Sequence, residues 1–545
     1  MTAPVETTAR WIGPRDRPLL GWLTTPTDGC TSSACVILPP VGYEYWSTHR
    51  TLRALAERLA AAGHTVLRID YDGTGDSAGD QWDDDRVSAW RSSVTHAAAD
   101  LRSLGATTVT VIGLRFGATV ALLEARGVGA DAVVAWAPVE SGRRFVKELR
   151  LLGQPVPSSD GAIVVAGSVF PEPALSALAA LDVMELDASP AARVLMVERP
   201  DRPVADTAID HIEAFGATVT RLALEGSELA LDLPAEYATV PAEILDAITE
   251  WVGDARREPR HACTGDRAAA VLSWRGVRIN EQVATLGRRG LVGIVGTPAD
   301  DDARPADHAT VVFLNSGSET HIGPGRAWVE YARTLSAAGH TTVRVDFTGW
   351  GESPDGDHAP GRPYDAHTLD DTVAIVEDLT ARGHERIVLV GLCASAWVAL
   401  KAVLLVRVAG IIALNPQMYW EPGDPVEATM AETRKRRTPE RQREERGARL
   451  GLWTLLDGIG LRHRAATWLR AVARRRTPVL LVFAEGDDGL EFFNNRVARS
   501  LRHVQRSGFV EVVEVPGIDH SMHRHWMRAD MVAVITGFLD RLRSP

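Results

Sequence analysis

The chain is predicted to hold two tandem α/β domains, each a mainly parallel, doubly wound sheet, and three observations predict this fold class. Its 545 residues exceed what one hydrophobic core usually organises. The first half of the sequence recurs in the second. Within each half, apolar runs of strand length alternate with amphipathic segments of helix length, and the runs lack the polar alternation of a half-exposed sheet.

The internal repeat sets the domain boundaries. "LRALAERLAAAGHTVLRIDYDGTGDSAGD" returns as "YARTLSAAGHTTVRVDFTGWGESPDGD", and "VTVIGLRFGA" returns as "IVLVGLCASA". Asp70 and Asp346 lie 276 residues apart, and Arg115 and Cys393 lie 278 apart. The repeat predicts domains over 1–254 and 271–545. The charged, aperiodic stretch 255–270 between them has the composition of a linker.

Composition excludes several function classes. A formal net charge of -12 argues against general nucleic-acid binding, which needs a positive field. The longest apolar stretch, 398–414, is broken by Lys401 and Arg407, so no membrane span is expected, although peripheral association stays open. Four cysteines without C-x-x-C spacing suggest neither a zinc site nor a disulfide framework, and a reducing cytoplasm fits.

The stretch "VGLCASA", residues 390–396, predicts a nucleophile elbow with Cys393 at its tip. A strand that runs through a sharp turn into a helix lifts the central side chain above the sheet, and it needs small neighbours because strand and helix nearly touch. The helix N-terminus favours a thiolate at Cys393, and the Ala394 amide is placed to stabilise an oxyanion. The alternative is that Cys393 is a small buried hydrophobe.

A base and an orienting acid follow later in the sequence. "PVLLVFAEGDD" places Asp487 after a strand, with Asp488 as a rival for the same role, and "VEVPGIDHSMH" places His520 after the next strand. The order nucleophile, acid, histidine is that of α/β-hydrolases. His523 and His525 raise the alternative of a metal site, but no carboxylate or cysteine cluster stands at ligand spacing, so no metal is expected.

Both halves resemble α/β-hydrolases, and in detail they resemble the pair of bacterial hydrolases associated with the exosortase system. One member of that pair carries cysteine at the elbow and the other arginine, as "GLCASA" and "GLRFGA" do here. "PPVGYEYWSTHR", "LNSGSETHIGPGR", "DYDGTGDS" and "DFTGWGES" carry the rest of the resemblance. By position, the loop holding Ser316 should give the second oxyanion amide, with His321 and Arg326 at the pocket mouth.

The two G-x-G motifs predict no cofactor. "DGTGDS" and "TGWGES" each follow an aspartate and do not open a helix, so they do not fit a dinucleotide-binding turn. They fit the loop after the fourth strand of each sheet.

The first half lacks a hydrolase triad. Arg115 stays protonated and cannot act as a nucleophile, and "LEGSELALDLP" stands where the second half has its histidine. Asp201 keeps the acid position, and His49 is a candidate pocket neighbour. Arg115 is either an anchor for a carboxylate or phosphate at the helix N-terminus, or a relic bonded to Asp201 or backbone.

A long insert, 416–477, is expected to form a helical lid over Cys393. Between Arg434 and Arg449 it holds eight cations and three acids in a chain that is acidic overall. Such a run is either a solvated helix face or a docking surface for an acidic ligand, a carrier protein, a peptide or a membrane surface.

Three functions remain open from the sequence. The first is an enzyme in which Cys393 forms an acyl-thioester with an ester, thioester, lactone or activated amide, in bacterial secondary or envelope metabolism. The second follows from a weaker resemblance to the hydrolase-like component of linaridin pathways, which implies dehydration or epimerisation of a precursor peptide with a partner protein. The third is a non-catalytic binding scaffold.

Overall fold

The computed structural model describes residues 4–263, 267–300, 308–317, 319–357, 365–418, 465–497 and 508–543. The chain divides into two compact units, Met1–Gly276 and Val277–Pro545. Most of the expected lid, 419–464 and with it the basic run, lies outside the described residues.

The first unit is built on an eight-stranded sheet in the order β1-β2-β4-β3-β5-β6-β10-β11, with a small sheet β7-β8-β9 beside it. Its strands are β1 Val5–Ile12, β2 Leu19–Pro26, β3 Ser33–Leu38, β4 Thr65–Ile69, β5 Thr108–Leu114, β6 Ala132–Trp136, β7 Gln154–Pro155, β8 Ile163–Val165, β9 Ser168–Phe170, β10 Arg193–Glu198, β11 Thr218–Ala223 and, at its end, β12 Ala269–Trp274. In the eight-stranded sheet, the pairs β1–β2 and β2–β4 are antiparallel, and the pairs β4–β3, β3–β5, β5–β6, β6–β10 and β10–β11 are parallel.

Helices cover both faces of this sheet. They are α1 Tyr43–Ala61, α2 Arg86–Ser103, α3 Phe116–Glu124, α4 Gly142–Leu152, α5 Glu172–Ala179, α6 Asp206–Ala214, α7 Ser227–Leu231 and α8 Ala242–Val252. One buried cluster joins the sheet to α1 and α8, and the other joins it to α2, α3 and α6. Strands buried on both faces explain why their sequences are continuous apolar runs.

The second unit repeats this plan. Its strands are β13 Val277–Leu286, β14 Leu291–Pro298, β15 Thr310–Phe313, β16 Thr341–Val345, β17 Ile387–Leu392, β18 Gly410–Leu414, β19 Val479–Ala484 and β20 Val510–Val515. They lie in the order β13-β14-β16-β15-β17-β18-β19-β20, which matches the order in the first unit. Only β13–β14 and β14–β16 are antiparallel among these pairs.

The second sheet is also covered on both faces. The helices are α9 Ala327–Ala337, α10 Ala366–Ala381, α11 Ala394–Ala402, α12 Ala465–Arg474, α13 Asp488–Phe492 and α14 Arg528–Arg543. One cluster packs α9 and α14 against the sheet, and the other packs α10, α11 and α12. The predicted fold class, two tandem α/β-hydrolase folds with mainly parallel sheets, is confirmed.

The two G-x-G motifs form loops after the fourth strand of each sheet. In the first unit the loop folds around Asp70, which accepts a hydrogen bond from the Tyr45 hydroxyl at 2.6 Å. In the second it folds around Asp346, and Gly351 has a φ of 47° where an added Cβ would collide with the Asp346 carboxylate. Glycine is needed there because of both the left-handed backbone and this close approach.

The segment after the first unit's last helix is docked on that unit. Cys30 and Cys263 form a disulfide, 233 residues apart in sequence, and the amides of Cys30 and His261 each donate to the other residue's carbonyl at 2.9 and 3.1 Å. The expectation that the cysteines form no disulfide is therefore wrong. It failed because spacing signals detect local motifs, whereas this pair is brought together by the fold.

None of the described helices combines the length and apolar character needed to cross a bilayer.

Candidate active site

Cys393 stands at the tip of a strained turn between β17 and α11. Its backbone has φ 58° and ψ -109°, and its amide donates to the Leu414 carbonyl at 2.9 Å. A Cβ on Gly391 would lie 2.5 Å from the Ala396 amide nitrogen, so only glycine lets the strand and helix approach this closely. Cys393 is not part of a disulfide and is partly exposed.

Asp487 and His520 lie at the carboxyl ends of β19 and β20. Asp487 caps α13 by accepting a hydrogen bond from the Gly489 amide at 2.8 Å. Its other oxygen, Oδ2, accepts from His520 Nδ1 at 2.5 Å. Asp487 is buried, which shields this bond from solvent. Asp488 begins α13 and lines the cavity beside the histidine.

The His520 ring joins this pair to the elbow, since Cys393 and His520 are also hydrogen bonded. Burial of the ring acts to lower the pKa of His520, but the electrostatic effect of Cys393 and the hydrogen bonds that the ring makes with Asp487 and Cys393 outweigh it. The pKa of His520 is therefore raised well above its ordinary value. The arrangement favours an imidazolium held between two acceptors.

The expected oxyanion donors follow two neighbouring strands, β17 and β15. Ala394 is the first residue of α11, where helix amides lack intrahelical partners. Ser316 is buried in the loop after β15, which pairs directly with β17. Both loops therefore leave the same edge of the sheet. Their convergence on a reacting carbonyl stays a prediction.

His321 and Arg326 lie in the loop that leads to α9, and both side chains are buried. His321 Nδ1 lies 2.6 Å from Asp346 Oδ2, and the Asn315 side-chain amide donates to Asp346 Oδ1 at 3.0 Å. Burial acts to raise the pKa of Asp346, but His321 and these hydrogen bonds outweigh it and lower the pKa. A role for His321 and Arg326 at the pocket mouth stays a prediction.

Two polar residues after β18 were missed by sequence reasoning. Asn415 donates from Nδ2 to the His520 carbonyl at 2.9 Å, and Gln417 Nε2 lies 3.5 Å from His520 Nε2. Both residues belong to "LNPQ", at the carboxyl edge where site residues of parallel sheets collect. Their position directly after β18 is the sequence signal that could have identified them.

A cavity of about 410 Å³ lies beside the histidine. Its walls include Gln417, Glu485, Asp488, Asp519, His520 and Arg524. Asp519 accepts hydrogen bonds from the amides of His523 and Arg524, at 3.1 and 2.9 Å. These bonds brace the loop that carries His520.

Two other histidines, His523 and His525, lie near the site in the sequence. His525 Nε2 lies 3.2 Å from the carboxylate of Glu330, which also pairs with Arg528 at 2.5 Å. Burial is the main cause that lowers the pKa of His523. Within the described ranges, no group of three or more His, Cys, Asp or Glu side chains could hold a metal ion.

Arg115 occupies the elbow of the first unit, with φ 55° and ψ -118°. Its Nε donates to Glu44 Oε1 at 2.7 Å, and its Nη1 donates to the Ala137 carbonyl at 3.4 Å. Burial raises the pKa of Glu44, and Arg115 acts in the opposite direction. Asp201, one of the alternative partners considered for Arg115, instead accepts two hydrogen bonds from Arg199, at 3.0 and 2.9 Å. His49 lies on α1, and its place in a pocket stays a prediction.

Residues 311–533 match the model of the alpha/beta hydrolase family. No curated protein matches the chain. Among solved structures, TT1662 from Thermus thermophilus is 15% identical, with 48% of this chain and 98% of that chain covered and a TM-score of 0.33. Est1E from Butyrivibrio proteoclasticus with ferulic acid bound is 17% identical (44% and 95% covered, TM-score 0.33), and dienelactone hydrolase from Anabaena variabilis is 14% identical (48% and 96%, TM-score 0.32).

The match to the alpha/beta hydrolase family thus falls within the second unit.

Proposed function

We propose that the second unit is a hydrolase or acyltransferase in which Cys393 is the nucleophile. The observation that carries the proposal is the chain of contacts from Cys393 to His520 to Asp487 on the ends of β17, β20 and β19. The substrate class is an ester, thioester, lactone or activated amide, small or peptide-borne, either free or attached to a carrier or partner protein. The setting is bacterial secondary or envelope metabolism.

The reaction starts when the Cys393 proton resides on His520 and the thiolate attacks the substrate carbonyl. A C–S bond forms, and the carbonyl oxygen becomes an oxyanion that the amides of Ala394 and Ser316 stabilise. The intermediate collapses as the C–O, C–S or C–N bond to the leaving group breaks, and His520 protonates that group. Asp487 keeps the ring oriented and stabilises the imidazolium.

The acyl-thioester is then resolved by a second nucleophile. In hydrolysis, His520 takes a proton from water, hydroxide attacks the thioester carbonyl, and the carboxylic acid leaves as the Cys393 thiol is restored. In acyl transfer, an amine or thiol takes the place of water. A thioester stays reactive toward both, so cysteine suits either outcome.

The test is capture of the acyl-enzyme. The full chain is incubated with activated esters and thioesters, and intact mass spectrometry with peptide mapping locates the acyl group. Cys393 should be acylated, and Cys393→Ala should not. Cys35→Ser is the matched control, because burial raises the pKa of the Cys35 thiol to about 12. Iodoacetamide should alkylate Cys393 faster in the wild-type protein than in the His520→Gln variant. Equal rates would contradict the proposal.

Related experiments would distinguish the other two functions, peptide maturation and a non-catalytic scaffold. Activity that appears only with a precursor peptide and a co-purifying partner would favour peptide maturation. Full biological activity in a folded Cys393→Ala variant would favour a scaffold. For the first unit we propose a non-catalytic role, since the Arg115 guanidinium is already engaged by Glu44.

Location in the cytoplasm stays part of the proposal. The Cys30–Cys263 disulfide weighs against it, because structural disulfides are rare in reducing compartments. Counting free thiols after rapid acid quenching of intact cells decides the question. Four free thiols would place the chain in a reducing compartment, and two would place it in an oxidising one.

A further inference from the structure

Asn415 connects the two strand ends that carry the base and the acid. It follows β18 and is fully buried. Its Nδ2 donates to the His520 carbonyl at 2.9 Å, and its Oδ1 accepts from the Ala484 amide at 2.7 Å. Ala484 ends β19, three residues before Asp487. One side chain therefore fixes the loop of His520 against the strand that leads to Asp487.

An amide suits this position because one contact needs a donor and the other an acceptor. A hydrocarbon of the same size would leave a buried carbonyl and a buried amide without partners. A carboxylate could serve Ala484 but would face the His520 carbonyl with like charge.

The first unit supplies an internal comparison. Ala137 is 22 residues after Arg115, as Asn415 is after Cys393. Ala137 has φ 46° and Asn415 has φ 43°. The Ala137 amide donates to Val197 at 2.8 Å, and the Asn415 amide donates to Val482 at 2.7 Å. The same backbone thus forms with alanine in the unit that has no catalytic histidine, so the turn itself does not require asparagine.

We infer that Asn415 is a positioning residue that sets His520 at hydrogen-bond distance from Asp487. This inference rests on the proposed function, in which His520 is the base. Asn415 acts through the His520 backbone and does not touch the reacting atoms. Its loss lets the ring swing away from Asp487 and Cys393, and displacements of about 1 Å in such a constellation cost roughly a hundredfold in rate.

The experiment observes the His520 ring directly. In protein labelled with ¹⁵N-histidine, the Nδ1–H of His520 should give a downfield proton resonance that His520→Gln removes. Asn415→Ala should abolish this resonance or speed its solvent exchange about tenfold or more, and should lower kcat far more than it changes KM. Asn415→Asp, of equal size, keeps the acceptor for the Ala484 amide but replaces the donor with a repulsive carboxylate oxygen, and it serves if the alanine variant does not fold. Ala137→Asn, the matched change in the first unit, should leave the resonance unchanged.

A folded Asn415→Ala protein with the wild-type resonance and exchange rate would overturn the inference. So would a wild-type protein without the resonance, because His520 would then not be held by Asp487. Failure of the proposed function looks different: Cys393 would not be acylated, while the resonance and its loss in Asn415→Ala would still report whether Asn415 positions the ring.

Discussion

Arg115 and Cys393 occupy the same backbone position in the two units. Their φ angles are 55° and 58°, and their amides donate to the last residue of the next strand, Trp136 and Leu414, at 2.8 and 2.9 Å. The strained turn is therefore retained where no nucleophile is present. Strain of this kind persists only when the surroundings enforce it, and in the first unit the Arg115–Glu44 ion pair contributes to that enforcement.

Removing Arg115 alone should destabilise the first unit. The Arg115 and Glu44 side chains are 10% and 19% exposed, so Arg115→Met leaves a largely buried carboxylate without its main partner. Arg115→Met should lower the free energy of unfolding of the first unit by about 3 kcal/mol, and the double variant Arg115→Met with Glu44→Gln should lower it by less. Urea unfolding of the single and double variants measures the difference. Equal losses would show that the pair is not coupled.

The two glycines of "TGWGES" should differ in their tolerance of alanine. At Gly351 a Cβ would meet the Asp346 carboxylate on a backbone with φ 47°, whereas at Gly349, φ 77°, nothing lies within 4 Å. Gly349→Ala carries only the cost of the left-handed backbone, about 1 kcal/mol, and Gly351→Ala should cost roughly 3 kcal/mol or more. Thermal unfolding compares the two proteins. Equal melting temperatures would mean that the loop rearranges around Asp346.

The Cys30–Cys263 bond should stabilise the first unit. It closes a long loop, and native disulfides of this kind contribute about 2–4 kcal/mol. Cys263→Ser should lower the melting temperature of that unit, and dithiothreitol should then have no further effect on it. A reductant effect that persists in Cys263→Ser would place the sensitivity elsewhere.

The sequence predicts the fold and a candidate triad because both predictions depend on regular patterns. Two-sided burial of parallel strands produces apolar runs, and an elbow requires small residues around Cys393. The strand after an elbow and the two that follow lead to loops where an acid and a histidine are expected, so this pattern predicts Asp487 and His520 for those two roles.

What the sequence does not predict depends on contacts between distant segments. The Glu44 partner of Arg115 is 71 residues away, and Asn415 reaches a carbonyl 105 residues away. Neither contact leaves a periodic trace in the sequence. The expectation about Cys30 and Cys263 was wrong for the same reason, because a search for local cysteine spacing cannot detect such a pair.

Asp487 and Asp488 should differ sharply in their effect on catalysis. His520 Nδ1 lies 2.5 Å from Asp487 Oδ2, so Asp487→Asn removes the acceptor that orients the ring. The rate of Cys393 acylation should fall about a hundredfold or more, because a misoriented or wrongly protonated imidazole cannot accept the thiol proton. Asp488→Asn should change it by less than about threefold. Stopped-flow acylation of both variants makes the comparison, and a larger loss in Asp488→Asn would reassign the acid.

The raised pKa of His520 should make its contribution to stability depend on pH. Folding favours the protonated form of the His520 ring, because its pKa in the folded chain is well above the value of about 6.5 in the unfolded chain. This stabilisation is fully present below that pH and is lost as the pH rises through the folded pKa. The free energy of unfolding of wild type relative to His520→Gln should therefore be larger at about pH 6 than at about pH 10. Because Cys393 contributes to the raised pKa of His520, the same comparison made in a Cys393→Ser background should give a weaker dependence. A difference that grows with pH would show that the ring is neutral in the folded protein.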